Sequence, residues 1–180
     1  MAASGGFDLV DRMKRRVFLA QGVFLALAAC ATTGQPQLGA DGKPLPRVYR
    51  ITDGEAVSFR FLDAMNTLRA ARALPPVSFD ANLNAAAATH ARDMSVQNRP
   101  WHFGSDGSSP LLRAQRAGFT GRYLGENISE TYETELETLS SWMAREDTRV
   151  VIMDPLATRL GFAWFQEPNG KIWWTMVTGT

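Results

Sequence analysis

Three side chains of this 180-residue chain have the greatest capacity for chemistry: the single cysteine, Cys30, and the two histidines, His90 and His102. A thiolate is a nucleophile, and an imidazole can transfer protons or bind a metal ion. One cysteine cannot form an intramolecular disulfide, so its role must come from its position. A serine nucleophile has no support, because the sequence lacks the Gly-x-Ser-x-Gly turn of serine hydrolases.

Cys30 ends a segment that has the layout of a signal peptide. Residues 14–31 read KRRVFLAQGVFLALAACA, which is a positive head, a short apolar run and small residues before the cysteine. The run is too short to span a bilayer as a stable helix, so residues 1–29 are predicted to be a signal peptide. Met13 is an alternative start, since the residues before it carry no signal-like pattern.

The end of this leader predicts a lipid anchor. Leu27-Ala28-Ala29-Cys30 resembles the lipobox of bacterial lipoproteins, in which the cysteine is lipidated and becomes the mature N-terminus. Arg15-Arg16 resembles a twin-arginine export signal, although the general secretory route stays open. The alternative is an uncleaved membrane anchor in which Cys30 is incidental. We expect lipid attachment to the cell envelope, at the periplasmic face of the outer membrane, because Ala31 stands where inner-membrane lipoproteins commonly have Asp.

Composition divides the remaining chain into a tether and one domain. Residues 30–54 begin with the lipidated cysteine and are rich in Gly, Pro, Thr and Gln without apolar periodicity, which predicts a flexible tether. Residues 55–180 are long enough for one ordinary domain. The net charge of +1, without a basic run, excludes the electrostatic footprint of nucleic-acid binding.

Helical periodicity dominates the first half of the domain. From Glu55 to near Leu74, spacings of three and four predict a helix that buries Phe59, Leu62, Met65 and either Leu68 or Arg69. Asp80 predicts the N-cap of a second helix. We expect His90 on its apolar face to be a core histidine. A third helix is predicted to begin at Pro110 and end at Gly118.

The second half of the domain predicts a strand, a helix and a closing hairpin. The strand covers residues 123–129, and the helix covers residues 133–145 with Leu136, Leu139, Trp142 and Met143 on its apolar side. The segments RLGFAWF and KIWWTMV flank an Asn-Gly turn at Asn169-Gly170, which indicates a β-hairpin. The tryptophans are expected to pack in the core and at its rim. Helices with a small sheet indicate an α+β or three-layer fold.

An ordered set of local motifs resembles the CAP superfamily, the SCP-like group of cysteine-rich secretory, antigen 5 and pathogenesis-related proteins. The closest fit is its bacterial lipoprotein branch. The resemblance implies one α-β-α sandwich over residues 55–180, with a small antiparallel sheet and a C-terminal hairpin. The motifs are Asn66-Thr67-Leu68-Arg69, Leu74-Pro75-Pro76-Val77, His90-Ala91-Arg92-Asp93-Met94, His102 with Gly104 to Pro110, Gly125-Glu126-Asn127-Ile128, and Trp142, Arg149, Ile152, Pro155 and Leu160-Gly161-Phe162-Ala163.

The resemblance also implies a cleft. In this family two histidines and two glutamates line the cleft and, in some members, bind a divalent cation such as zinc. The first histidine corresponds to His102 and the first glutamate to Glu126, which is followed by Asn127. Thr148 takes the place of the second histidine, and Glu146 is the nearest candidate for the second glutamate. Alternatively, His102 hydrogen-bonds across its own loop, and Glu126 and Asn127 cap a turn.

His102 and Glu126 alone would form a weak, incomplete metal site, because tight zinc sites use three or four protein ligands. We therefore expect no catalytic residues and a non-catalytic binding domain held at the envelope. The membrane would be contacted through the lipid anchor, and the cleft would bind a small apolar molecule, a lipid, a wall component or another protein. The alternative is a metal-assisted hydrolase of envelope substrates, with Glu126 as base or ligand.

Overall fold

A computed structural model describes residues 38–44, 48–130 and 132–180. The chain divides into two units, residues 1–45 and residues 46–180. In the first unit, Leu38 and Pro44 form an isolated antiparallel bridge around a turn in which Gly42 has a φ of +74°. The predicted signal peptide, Cys30 and much of the predicted tether lie outside the described residues. Within those described ranges, no helix is long and apolar enough to cross a membrane.

The second unit contains five helices and four strands in its described residues. The helices are α1 Gly54–Ala70, α2 Ala81–Gln97, α3 Pro110–Arg116, α4 Glu135–Ala144 and α5 Glu146–Ile152. The strands are β1 Ser78–Phe79, β2 Tyr123–Ser129, β3 Arg159–Gln166 and β4 Ile172–Gly179. The sheet order is β1-β3-β4-β2. The α+β class is confirmed, and the sheet is mixed rather than purely antiparallel because β1 pairs parallel to β3.

Side chains of β4 alternate between two layers of helices, as the period of a strand requires. Trp174 and Met176 pack in a core with residues of α1, α4 and α5. Trp173 and Val177 point to the other face, where they pack with residues of α2. Both faces of the sheet are covered by helices, which makes the predicted α-β-α sandwich.

Gly161 allows α2 to lie directly on the sheet. A Cβ atom at this position of β3 would be 2.3 Å from both the carbonyl carbon and the carbonyl oxygen of Leu83. No side chain fits in that space without moving the α2 backbone. The glycine of the Leu160-Gly161 motif therefore sets the distance between α2 and β3.

The buried face of α1 differs from the predicted one. Val57, Phe61, Met65 and Arg69, each four residues apart, are buried, whereas Phe59 is 56% exposed. The helix also ends at Ala70, before Leu74, because a turn follows in which Ala73 has a φ of +53°. Met65 is buried as predicted, and Arg69 rather than Leu68 is the fully buried residue of the last turn, but the prediction of Phe59 was wrong.

Asn66 and Arg69 join α1 to distant segments, which explains the Asn-x-x-Arg motif. The Asn66 amide donates to the carbonyl oxygen of Val77 at 3.0 Å and accepts from its backbone N–H at 2.8 Å. The Arg69 side chain is fully buried. Its guanidinium donates to the backbone carbonyl oxygens of Pro75, Ile152, Asp154 and Ala157 at 2.7–3.0 Å.

Local start and stop signals act as predicted in α2, α3 and the hairpin. The Asp80 carboxylate caps α2 by accepting from the backbone N–H groups of Asn82 and Leu83. Pro110 begins α3, and Gly118 follows the end of that helix with a φ of +89°. Gly170 has a φ of +101° in the turn between β3 and β4.

The region from 133 to 152 departs from the prediction in three ways. α4 begins at Glu135 because Thr134 is its N-cap and forms a reciprocal capping box with Glu137. On this helix Leu139 and Trp142 are buried, but Leu136 is 46% exposed. A separate helix, α5, follows at once and was not predicted. α5 borders the site described below.

Residues 48–51, within the predicted tether, bond to the turn of the hairpin. The Arg50 guanidinium donates to the carbonyl oxygens of Glu167, at 2.9 Å, and Pro168. The Gln166 side chain accepts from the backbone N–H of Ile51 at 3.1 Å and donates to the carbonyl oxygen of Tyr49 at 2.8 Å. The chain entering α1 is thus hydrogen-bonded to the end of the sheet.

Candidate functional site

His102 and Glu126 are in direct contact, although they come from different elements. His102 lies in the loop between α2 and α3, and Glu126 lies in the middle of β2. The distance from His102 Nδ1 to Glu126 Oε1 is 2.9 Å. The glutamate side chain is 2% exposed and the histidine side chain 51%. The carboxylate is therefore inside the protein, and the ring extends from it to the surface.

Arg113 of α3 contacts both oxygens of the same carboxylate. Its Nη2 lies 3.0 Å from Glu126 Oε1 and 2.8 Å from Oε2. Its Nη1 donates to the carbonyl oxygens of His102 and Ser108 at 2.9 and 3.0 Å. Because a buried carboxylate needs a compensating charge, this guanidinium is what stabilises Glu126 within the protein.

Sequence reasoning missed Arg113. The short helix α3 carries two arginines, and nothing in their spacing distinguishes them. Arg116 lies at the surface, with its side chain 56% exposed, and pairs with Asp106 at 2.5 Å. The side chain of Arg113 is only 5% exposed. Only the packing of α3 against β2 separates the two roles.

His90 is fully buried on α2, as predicted for a core histidine. Its Nε2 donates to the carbonyl oxygen of Trp101 at 3.0 Å and lies 3.7 Å from Glu126 Oε1. Burial lowers the pKa of His90, only partly opposed by the charge of Glu126, so the ring is neutral near pH 7. Its Nδ1 has no hydrogen-bond partner among the described residues.

The contacts of Glu126 determine which nitrogen of His102 carries hydrogen. A carboxylate has no proton to donate, so Nδ1 of His102 must donate to Oε1. In the neutral ring, Nε2 is then an acceptor. Because Nδ1 faces the buried carboxylate and the ring is half exposed, Nε2 is on the outward side.

The Gly125-Glu126-Asn127 motif joins β2 to α5. A Cβ atom at Gly125 would lie 2.8 Å from Cγ1 of Val151, so the glycine permits close contact with α5. The Asn127 amide donates to the carbonyl oxygen of Thr148 at 2.8 Å. The Thr148 hydroxyl in turn donates to the carbonyl oxygen of Trp142 at 2.6 Å. These contacts bring Thr148 beside the His102 loop.

A cleft of about 440 Å³ opens in front of this network. Of the residues predicted to form the site, His102, Asn127 and Thr148 line the cleft, and Glu126 lies behind His102. Glu146 does not line it, because this residue begins α5 with its side chain exposed. The lining residues are Pro100, Trp101, His102, Asn127, Ile128, Ser129, Glu130, Tyr132, Ser141, Trp142, Arg145, Asp147 and Thr148.

A second cavity, also about 440 Å³, lies between α2 and α3. Its polar groups are largely satisfied by each other. Asp93 accepts from the backbone N–H and the hydroxyl of Ser105, at 2.8 and 2.6 Å, and Asp106 pairs with Arg116. The cleft beside His102 is the stronger candidate, because it contains the predicted residues and the exposed ring.

Comparison with known proteins agrees with this architecture. The family described as CAP, Cysteine-rich secretory protein family, matches residues 62–178 of the chain. The chain belongs to the CAP family. The matched segment runs from the third turn of α1 to one residue before the end of β4, so it includes all the elements that form the cleft.

Two known proteins resemble the chain, one in sequence and one in fold. The uncharacterized protein YkwD of Bacillus subtilis is 27% identical over 120 residues, covering 67% of this chain and 46% of that protein. The chain therefore spans about half the length of this curated relative. An outer surface protein of Borrelia burgdorferi has a TM-score of 0.67 at 13% identity, covering 74% of this chain and 98% of the other.

A second solved structure has the same fold. An extracellular protein of Bacillus anthracis containing an SCP domain has a TM-score of 0.62 at 20% identity. The match covers 73% of this chain and 45% of that one. At these identities the likeness shows the CAP fold alone.

The residues of the CAP cleft do not fit a divalent cation here. Within the described residues, no three His, Cys, Asp or Glu side chains are grouped so that they could hold a metal ion. Both oxygens of Glu126 contact the positively charged Arg113, which would repel a dication at that position. Thr148, predicted to correspond to the second histidine of the family, directs its hydroxyl hydrogen to a backbone carbonyl.

Proposed function

We propose that this protein is a lipid-anchored CAP domain of the bacterial cell envelope that binds a ligand in its cleft without catalysing a reaction. The observation that carries the proposal is the pairing of Arg113 with both carboxylate oxygens of Glu126. A general base needs a lone pair directed at the substrate, and a metal ligand needs one directed at the ion. The oxygens of Glu126 are instead engaged with an arginine and a histidine inside the protein.

The location rests on the leader and on the relatives. The positive head, the short apolar run and Leu27-Ala28-Ala29-Cys30 support export followed by lipidation of Cys30. The solved relatives include an outer surface protein and an extracellular protein, which is in keeping with export of this chain. We place the domain at the periplasmic face of the outer membrane, attached by the anchor and the tether.

The composition of the cleft favours a polar wall component over a small apolar molecule. Beside His102, Asn127 and Thr148, the cleft is lined by Ser129, Glu130, Ser141, Arg145 and Asp147. An apolar ligand would remove water from these groups without replacing its hydrogen bonds, at a cost of about 1–3 kcal/mol per unsatisfied buried group. A glycan or peptide of the wall can replace them.

A metal titration and a hydrolysis assay test the non-catalytic role. The full-length protein, purified from membranes in detergent, is titrated with zinc by calorimetry and incubated with peptide, ester and wall-derived substrates. We expect neither zinc binding in the micromolar range nor turnover. Zinc binding or hydrolysis that disappears in both His102→Ala and Glu126→Ala would replace this proposal by a metal-assisted hydrolase.

A further inference from the structure

The indole N–H donors around the cleft are directed into the protein. Trp142 Nε1 donates to the carbonyl oxygen of Ile128 at 3.1 Å, and Trp101 Nε1 donates to the side-chain oxygen of Gln97 at 2.8 Å. An indole has a single N–H and no acceptor. These two residues therefore offer the cleft only the apolar surface of their rings.

Two hydroxyl groups of the lining, those of Thr148 and Ser141, also donate into the protein. The Thr148 hydroxyl donates to Trp142 O at 2.6 Å, and the Ser141 hydroxyl donates to Thr138 O at 2.9 Å. A hydroxyl has one hydrogen and two lone pairs. With the hydrogen given to a backbone carbonyl, each of these oxygens can only accept a further hydrogen bond.

His102 adds a third acceptor. Its Nδ1 hydrogen is given to Glu126, so Nε2 of the neutral ring offers a lone pair on the outward side. This tautomer depends on Arg113, which contacts both oxygens of Glu126 and holds the carbonyl oxygen of His102. Arg113 thus holds the carboxylate that accepts the Nδ1 hydrogen of His102.

The charged groups of the cleft do not change this excess of hydrogen-bond acceptors over donors. The guanidinium of Arg145 is paired with Asp147 through two contacts of 3.2 and 2.7 Å, and Glu130 is paired with Lys171 at 2.5 Å. Among the lining residues two carboxylates face one guanidinium. Lys171 balances the second carboxylate, and both cations are already paired, so an anionic ligand would meet acceptors and no unpaired cation among these groups.

Because these groups offer the cleft hydrogen-bond acceptors rather than donors, we propose that it binds a neutral, hydroxyl-rich glycan, whose O–H and N–H groups donate to the cleft. The inference rests on the proposed binding function and names its ligand class. Sugar hydroxyls supply the donors that Ser141, Thr148 and His102 lack, and the C–H face of a sugar ring can pack on the ring of Tyr132, another lining residue. A carboxylate or phosphate group supplies acceptors only and would leave two sets of acceptors facing each other.

Three probes that differ in donors and charge test the ligand class. The full-length protein in detergent is titrated with the tetramer of N-acetylglucosamine, with the fully methylated form of that tetramer, and with tetragalacturonate. We expect binding of the first probe and at least about tenfold weaker binding of the other two, because methylation removes the donors and the uronate adds negative charge. Equal or tighter binding of either of those two, or no binding of any probe, overturns the proposal.

Adjacent serines provide a matched pair of variants. Ser141→Ala removes a cleft acceptor, and we expect it to weaken tetramer binding about fivefold. Ser140 is exposed and does not line the cleft, so Ser140→Ala should leave binding unchanged. Equal effects of the two changes would overturn the proposal that the Ser141 hydroxyl accepts a hydrogen bond from the glycan. Cleavage of the tetramer, detected by mass spectrometry, would instead contradict the non-catalytic function, so the two failures are distinguishable.

Discussion

Nη2 of Arg113 lies within 3.0 Å of both carboxylate oxygens of Glu126, and the two side chains are 5% and 2% exposed. This buried ion pair joins α3 to β2 and, through the carbonyl oxygen of His102, to one wall of the cleft. The same contact engages the carboxylate that would otherwise act as a base or a metal ligand. Stability and function therefore depend on one pair of residues.

Replacement of Arg113 should be strongly destabilising. Arg113→Met leaves the buried Glu126 carboxylate without its cation, and we expect a loss of about 3–5 kcal/mol in the free energy of unfolding. Urea denaturation measures this loss. Arg113→Met combined with Glu126→Gln should recover part of it, because no buried charge is left uncompensated. The surface variant Arg116→Met is the control and should change little. A double variant no more stable than Arg113→Met would contradict the ion-pair account.

The stability of the protein should fall as the pH drops below the ordinary range of histidine. Burial lowers the pKa of His90 from its ordinary value of 6.5. As the pH falls through about 6.5, the unfolded chain takes up a proton that the native state resists, so the free energy of unfolding decreases. The decrease ends once the pH is below the lowered pKa of the native state.

Urea denaturation at a series of pH values between neutral and mildly acidic measures this effect. The variant His90→Gln removes the titrating ring while keeping a side-chain donor near Trp101. We expect a shallower dependence of stability on pH in that variant than in the unaltered protein. The same dependence in both proteins would show that His90 is not the source.

Loss of Arg69 should unfold the junction between α1 and the segment before β3. Arg69→Met leaves the carbonyl oxygens of Pro75, Ile152, Asp154 and Ala157 without this donor. Since an unsatisfied buried group costs about 1–3 kcal/mol, we expect a total loss of at least about 3 kcal/mol in the free energy of unfolding. Arg72→Met, at an exposed position three residues on, is the matched control. Similar losses in the two variants would argue against a stabilising role for the four hydrogen bonds of Arg69.

Removal of the thiol should release the protein from the membrane or leave its precursor uncleaved. Cys30→Ser keeps the size of the side chain but removes the nucleophile that would receive the lipid. Membrane fractionation and labelling with radioactive palmitate measure the result. Palmitate incorporation into Cys30→Ser at the level of the unaltered protein would refute the lipid anchor.

The start of α2, the bounds of α3 and the hairpin could be predicted because their signals are local, whereas the end of α1 and the start of α4 were displaced from the predicted positions. The Asp80 cap, the glycine after α3 and the Asn169-Gly170 turn each act within a few residues. The strand over residues 123–129 was predicted with the observed bounds. α5 was missed because its seven residues follow α4 without an intervening loop, so they show no periodicity of their own.

The sequence could indicate residues that belong to the site, but it could not indicate how those residues contact one another. His102, Glu126, Asn127 and Thr148 were singled out through the family resemblance, and the tertiary structure brings them to one place. Arg113 was not singled out, because its difference from Arg116 is a difference in burial and has no pattern along the chain. The contact of His90 with the same network was hidden for the same reason.

By itself the sequence determined the leader pattern, the order of the elements other than the short β1 and α5, the α+β class and the CAP resemblance, since these depend on residue order and short-range preferences. Only the tertiary structure decided that β1 pairs parallel to β3, that Arg69 donates to the carbonyl oxygens of Ile152 and Ala157, and that Arg113 meets Glu126. Each of these is a contact between segments far apart in the chain. Such a contact depends on which surfaces are buried together, and a linear pattern does not encode that choice.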